Sequence, residues 1–403
     1  MTWLQYAIVA AVACITTMAL VPPVKRLAFK IDAVDYPSER RVNKQPTARF
    51  GGVAMFGGLL CGLAVIIGGV AFFDWHFPLY SFVTREISYP GIFAGITLAF
   101  LVGVADDIFD LRPMHKFLGQ VIAATIVAGL LLTDMMSPFG HEQLMFGWLS
   151  YPITVFYLVA FCNVINLIDG LDGLAAGITA ISSTAMVVFA ILTVRPEAAF
   201  FGLALVGVCA GFLRYNFHPA SIFMGDSGSI LLGMSLGVVS LFATTKSTLF
   251  VSLLMPIIVA GVPVIDTAAA IIRRKRQHQS VMQADRGHIH HRLLSEGYSQ
   301  RSTVLIMWGW TAILSVSALF TTEMHGDMPL FAPEMHGLAR LPFVCLALGV
   351  SAFFVIKLNL LGPVLQHHYN PRPSTGKKRI NEQFNAASGN ASSPSHTDES
   401  PDE

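Results

Sequence analysis

Charge is scarce in this chain. Asp, Glu, Lys and Arg supply 13% of its 403 residues, about half the share found in ordinary globular domains, and that excludes a soluble protein. Cysteine is scarce as well. Cys14, Cys61, Cys162, Cys209 and Cys345 all lie in apolar segments, at spacings that suit neither zinc nor a disulfide framework, so they read as packing residues. The formal net charge of +1 says little about partners, and nothing in the sequence suggests nucleic-acid binding. There is no internal repeat and no pair of matching interrupted helices of the kind that mark inverted-repeat transporters. No basic stretch precedes the first apolar segment and no small-residue cleavage site ends it, so that segment reads as a retained transmembrane helix rather than a signal peptide.

Apolar length is what the chain has in quantity. Hydrophobic residues make up 54% of it and the mean hydropathy is +0.60. A spanning helix needs about 20 mostly apolar residues, and eleven segments qualify: Trp3–Val21, Val53–Phe73, Gly91–Ala105, Phe117–Thr133, Tyr151–Ile168, Leu174–Val194, Ala198–Asn216, Ile230–Thr245, Leu249–Ile272, Thr303–Phe320 and Leu341–Leu361. The expected fold is therefore all-α, a polytopic membrane domain over residues 1–365. The remainder, 366–403, is rich in Ser, Asn, Pro, Asp and Glu and reads as a disordered cytoplasmic tail. Basic residues are retained on the cytoplasmic side of a membrane. Of the 26 Lys and Arg, only Arg85, Arg195, Lys246 and Arg340 fall on one set of alternate loops, which predicts an outside N-terminus and an inside C-terminus.

The acids gather at the inner ends of these segments: Asp106, Asp107 and Asp110 after the third, Asp169 and Asp172 after the fifth, Asp226 between the seventh and eighth, and Asp266 late in the ninth. Carboxylates beside lipid are expensive and are usually kept for ions or chemistry. Like charges at about 4 Å repel by roughly 4 kcal/mol at an effective dielectric near 20, so such a gathering needs a cation or a shared proton. Oxygen-only donors favour magnesium, which takes one or two carboxylates and leaves other positions to water and substrate phosphates. Salt bridges to nearby arginines are the plainer reading.

Three further stretches bear on chemistry. From Asn163 through Asn166 and Asp169 to Asp172, a polar oxygen recurs every third residue. Either this stripe spirals around a helix, or Gly170 and Gly173 break the helix and turn the carboxylates to a common point; the break is the preferred reading. The run Phe223-Met224-Gly225-Asp226-Ser227-Gly228-Ser229 puts free backbone N–H groups at a helix start, where a phosphate can sit, although Asp and Ser are also ordinary caps. The loop Asp285-Arg286-Gly287-His288-Ile289-His290-His291-Arg292 suits a diphosphate better than zinc, because no cysteine accompanies the histidines and Arg offers a bidentate grip.

Taken together, Asp106-Asp107-Ile108-Phe109-Asp110, Asn166 to Leu174, Phe223 to Ser229, Pro263-Val264-Ile265-Asp266 and His288-Ile289-His290-His291 resemble the polyprenyl-phosphate N-acetylhexosamine-1-phosphate transferases, over about Trp3 to Leu361. The resemblance implies transfer of a sugar 1-phosphate from a UDP-N-acetylhexosamine to undecaprenyl or another polyprenyl phosphate, with release of UMP, at the cytoplasmic face of a bacterial inner membrane. It implies magnesium, or manganese in its place, held by Asn166 and Asp226. Asp106 and Asp107 resemble the pair beside the acceptor phosphate, and Asp169 and Asp172 the carboxylates that shape the catalytic centre. His288, His290 and His291, with Arg286, resemble the loop that holds the nucleotide sugar. Asn163, Gly225, Ser227 and Asp266 complete the expected substrate-binding set.

The His-Ile-His-His wording resembles the N-acetylglucosamine-1-phosphate branch; the phospho-N-acetylmuramoyl-pentapeptide transferases, which tend to three consecutive histidines, are the alternative. The first inside loop departs from the common wording at Arg40-Arg41-Val42-Asn43 and at Pro46-Thr47-Ala48-Arg49-Phe50-Gly51-Gly52. A secondary transporter and a divalent-cation transporter are competing classes, and a homodimer is an open alternative to a monomer.

Overall fold

The computed structural model describes residues 3–36, 46–75, 89–130, 149–243, 260–276, 288–321 and 341–358. Twelve helices occur among them. They are α1 (Trp3–Lys30), α2 (Gly51–Phe73), α3 (Tyr89–Phe109), α4 (Pro113–Leu130), α5 (Ser150–Ile168), α6 (Leu174–Leu192), α7 (Pro196–Asn216), α8 (Gly225–Ala243), α9 (Gly261–Arg276), α10 (Ile289–Ser295), α11 (Gln300–Thr321) and α12 (Leu341–Lys357). Every one of the eleven apolar segments carries a helix. Eight are long and apolar enough to cross a membrane, while α9 and α12 are shorter apolar helices. The protein is thus all-α and polytopic, as its composition predicts. The ninth expected segment is seen only from Gly261, and the tail from 366, with Arg286 and Asn43, lies outside the described residues.

Packing follows from small residues. On α1 the buried positions Val9, Ala13, Thr17, Val21, Val24 and Ala28 form one stripe at helical spacing, turned toward α2 and α7. Lipid tails are as apolar as Leu, so helices in a membrane associate through close packing and small side chains rather than through a hydrophobic drive. Gly58 of α2 lies against Thr17, and Gly207 and Gly211 of α7 lie against the Ala10 and Cys14 carbonyls, with no room for a Cβ. α8 is apolar on all sides and almost wholly buried, which fits a helix at the centre of a bundle; α2, α3, α5, α6 and α7 surround it.

One feature was not expected. Three short strands, β1 (Val34–Asp35), β2 (Thr47–Arg49) and β3 (Ile222–Phe223), form a sheet in which β1 runs antiparallel to β2 and β2 parallel to β3. The register pairs Arg49 with Phe223, and the Gly52 N–H donates to the Met224 carbonyl at 2.8 Å. This sheet ties the loop between α1 and α2 to the start of α8, and so carries Arg49 into the acid cluster.

Candidate active site

The site grows from the end of α3. Asp106 and Asp107 lie inside its last turn rather than beyond it, and as adjacent residues about 100° apart they serve two directions. Asp107, fully buried, faces the start of α8. One oxygen accepts the Asp226 N–H at 2.7 Å; the other accepts the Ser227 N–H at 3.0 Å and the Ser227 hydroxyl at 2.5 Å. Gly225 makes this approach feasible: its φ is +70°, and a Cβ there would meet a carboxylate oxygen of Asp107 at 2.5 Å. The anion held by the first turn of α8 is therefore a carboxylate of the chain itself. Of the donors that sequence expects to face a phosphate at Gly225 and Ser227, the Asp226 and Ser227 N–H groups face this acid at the positive end of the helix, while Gly225 lines the cavity described below.

Asp106 faces the other way. Its Oδ1 accepts the Leu111 N–H at 3.0 Å, closing the turn into α4, and its Oδ2 lies 3.5 Å from Lys116 Nζ. Lys116 also contacts Asp226 Oδ2 and lies 3.4 Å from Asn166 Oδ1. Arg49 Nη2 reaches Asp226 Oδ1 at 3.2 Å, and its Nε lies 3.5 Å from Asp107 Oδ1. Asn166 donates to Asp226 Oδ1 at 3.0 Å and to Ser229 Oγ at 2.8 Å. Five elements thus meet: β2, α3, α4, α5 and α8.

The α5–α6 turn supplies the next wall. α5 stops at Ile168, Gly173 has φ +77°, and α6 starts at Leu174, so the polar stripe is broken at the glycines as preferred. Asp172 Oδ2 accepts from His218 Nδ1 at 2.7 Å and from the Ala220 N–H at 3.1 Å. Asn216 accepts the Gly173 N–H at 3.0 Å and donates to the Ile222 carbonyl at 2.9 Å. Asp169 differs from its neighbours: among the described residues its carboxylate has no hydrogen bond or ion pair. Burial pushes its carboxyl up to about 7, with Asp107 and Asp172 adding to the rise against the pull of Arg49.

The histidine loop closes from above this turn. Asp266 of α9 accepts the Ile289 N–H at 2.8 Å and pairs with His288 Nδ1 at 3.1 Å; it sets the start of α10 and the ring of His288. His290 lies against Gly170, where a Cβ would meet its Nε2 at 2.7 Å. Burial, with the neighbouring His291, lowers the His290 pKa to about 3, so this ring is neutral under ordinary conditions.

A cavity of about 360 Å³ joins these parts, and Arg49, Asn166, Asp169, Gly170, Asp172, Gly225, Asp226 and His291 are among the residues lining it. Asn163 is not. Its amide bonds Gln120 Oε1 at 2.7 Å and the Val159 carbonyl at 2.8 Å, so the expectation of direct substrate contact there is not matched by its position. Sequence reading assigned no site role to Arg49, Lys116, Asn216 and His218. Arg49 stands in the sequence within the first inside loop's departing stretch Pro46–Gly52 and Lys116 only among the charges that set topology, although a lysine at the mouth of an apolar segment is itself a signal.

Magnesium is tested by the donor set. Among the described residues no three His, Cys, Asp or Glu side chains form a ready metal cage. Asp106, Asp107 and Asp226 nevertheless outnumber Arg49 and Lys116, and the Asp226 carboxylate and the Asn166 side-chain oxygen both face the Lys116 ammonium. A hard cation that takes only one or two carboxylates suits this set.

Comparison with known proteins agrees with this construction. The profile of glycosyl transferase family 4 matches residues 89–244. A Bacillus subtilis (strain 168) protein, described as a probable undecaprenyl-phosphate N-acetylglucosaminyl 1-phosphate transferase, is 40% identical over 310 residues, covering 76% of this chain and 82% of that one. The chain belongs to glycosyl transferase family 4. Within the family it is also similar to a decaprenyl-phosphate N-acetylglucosaminephosphotransferase of Mycobacterium tuberculosis, at 34% identity over 78% of this chain and 82% of the relative. A phospho-N-acetylmuramoyl-pentapeptide-transferase of Desulforudis audaxviator is 32% identical, over 77% and 96%. The family profile takes in α3 through α8, the helices that bring Asp106, Lys116, Asn166 and Asp226 together.

Proposed function

We propose that this protein transfers N-acetylglucosamine 1-phosphate from UDP-N-acetylglucosamine to a polyprenyl phosphate, undecaprenyl phosphate in particular, releasing UMP. The observation that carries the reading is the meeting of Asp226, Asn166, Asp169, Asp172 and His291 in one cavity, in a chain 40% identical to a protein described as such a transferase. The distribution of Lys and Arg supports a site facing the cytoplasm, and the apolar helices support a multi-pass position in the bacterial inner membrane.

The chemistry is a displacement at phosphorus. A phosphate monoester has a second pKa near 6, so the lipid acceptor is mostly dianionic at pH 7. One of its oxygens attacks the β-phosphorus of the nucleotide sugar; the bond from that phosphorus to the oxygen bridging the α-phosphate breaks, and UMP leaves with the electron pair. The obstacle is electrostatic, because two anions must meet among aspartates. Arg49 and Lys116 provide the local positive charge, Arg49 with a fork suited to phosphate oxygens. Magnesium, or manganese, held by Asp226 and Asn166 would neutralise diphosphate charge and stabilise the departing phosphate. Asp169, unpaired and near neutrality in its titration, accepts the proton from acceptor that arrives as the monoanion. Asp106 and Asp107 hold Lys116 and the start of α8 in place, Asp172 fixes the His218 turn, and Asp266 with His288 orients the loop that brings His291 to the cavity. In this reading His290 packs as a neutral ring on Gly170, and Arg286 joins the same loop.

Donor choice tests the reading. Purified protein is given undecaprenyl phosphate with UDP-N-acetylglucosamine, UDP-N-acetylgalactosamine or the UDP-muramoyl-pentapeptide, and the lipid products are weighed by mass spectrometry. The expected product is the lipid diphosphate of N-acetylglucosamine. A product from the muramoyl donor alone would move the protein to the branch of the Desulforudis relative, and no lipid product from any donor would remove the transferase reading.

A further inference from the structure

Beside the acid cluster, α4 and α5 carry a second polar contact that the chemistry above does not use. Gln120 follows Lys116 by one turn of α4, and Asn163 precedes Asn166 by about one turn of α5. Asn163 Nδ2 donates to Gln120 Oε1 at 2.7 Å, and Lys116 Nζ lies 3.4 Å from Asn166 Oδ1. Residue numbers rise on one helix as they fall on the other, so the helices are antiparallel and the two contacts are successive rungs of one ladder. A third tie follows, from the Tyr151 hydroxyl to the Thr125 carbonyl at 2.9 Å.

The middle rung is a poor device for stability. Gln120 is fully buried, and among the described residues its Nε2 has no hydrogen-bond partner. Side-chain hydrogen bonds between helices in a membrane stabilise only slightly, whereas an orphaned buried amide carries a desolvation penalty at least as large. Replacing both partners with apolar groups of similar shape is often neutral or stabilising. Something other than stability accounts for the pair.

We infer that Gln120 and Asn163 are positioning residues: their hydrogen bond fixes the rotation and register of α4 against α5, and thereby sets Lys116 and Asn166 around Asp226. Neither amide need touch substrate. An amide pair is directional, so it selects one register where apolar side chains tolerate several, and misplacing a catalytic group by about 1 Å can cost a hundredfold in rate. The inference rests on the transferase reading and assigns Asn163 a role in the site without contact to the donor.

The test uses the full chain in detergent. The apolar pair Gln120→Met with Asn163→Leu is compared with the exchanged pair Gln120→Asn with Asn163→Gln and with wild type, measuring Tm, kcat, KM for UDP-N-acetylglucosamine and the half-saturating magnesium concentration. The apolar pair is expected to melt at or above the wild-type temperature, with kcat lowered about tenfold or more, KM within about twofold, and a raised magnesium requirement. The exchanged pair is expected to recover most of kcat. An apolar pair with wild-type kcat and magnesium dependence overturns the inference while the transferase reading stands. An apolar pair that unfolds, or whose kcat falls only in step with Tm, overturns it too, because the rung is then structural. Wild-type protein that releases no UMP overturns the transferase reading itself, and this inference with it.

Discussion

Asp107 and Asp169 differ in what they have left to give. Asp107 has committed both oxygens to α8 and Arg49, whereas Asp169 keeps its carboxylate unpaired in the cavity, with a pKa raised by burial to about 7. Below about pH 7 Asp169 holds its proton and cannot take another, so kcat is expected to rise with pH through that region. Asp169→Asn is expected to lower kcat and to reduce this limb to the shallower one set by the acceptor's own ionisation near pH 6; an unchanged limb in the variant contradicts the assignment. If attack is direct, protein incubated with UDP-N-acetylglucosamine labelled in the β-phosphate, without lipid, retains no covalent label.

The His290 pKa is shifted the other way, downward, and its effect is read in stability. The unfolded chain takes a proton on this ring near pH 6.5, while the folded chain refuses it until about pH 3. The unfolded state therefore binds more protons between those values, and stability falls as pH is lowered through that window. Thermal melts at pH 7 and pH 5 are expected to show a smaller acid loss in His290→Gln than in wild type. At this scale the aspartates were legible in the sequence, because acids at the ends of apolar segments are rare. Arg49 and Lys116 were not: cations on an inner loop are what membrane topology already demands, and only tertiary contact separates a working lysine from a topogenic one.

Among the elements, α8 has its start held by a carboxylate from the end of α3. Gly225 combines φ +70° with the close approach of Asp107. Gly225→Ala is expected to lower Tm by several degrees and to remove most activity, since the left-handed region costs a non-glycine residue about 1–2 kcal/mol and the new methyl displaces the carboxylate that holds the helix start. Gly68 has nothing within 4 Å of its would-be Cβ, so Gly68→Ala should melt with wild type. Equal losses in the two variants would contradict this account of α8. The helices were legible because long apolar runs are the strongest signal a sequence carries. The strands were not, since two or three residues cannot display an alternation. The apolar run of the eighth segment opens at Ile230, but its helix begins at Gly225, within the Phe223–Ser229 run that reads as a helix start, and Asp107, from a distant stretch, accepts its first N–H groups.

For the whole molecule, the uneven distribution of Lys and Arg predicts an outside N-terminus and an inside C-terminus. A fluorescent protein fused after Glu403 is expected to mature in the cytoplasm, and a periplasmic reporter fused there to stay inactive; the reverse pattern would turn the proposed site to the wrong side for a nucleotide. The measurement closest to the central claim is UMP release from UDP-N-acetylglucosamine by purified protein in detergent, with undecaprenyl phosphate present and no sealed membrane. Release in step with formation of the lipid diphosphate sugar, stopped by a chelator and restored by magnesium, is the predicted result. No UMP, or undiminished turnover in the chelator, would contradict it.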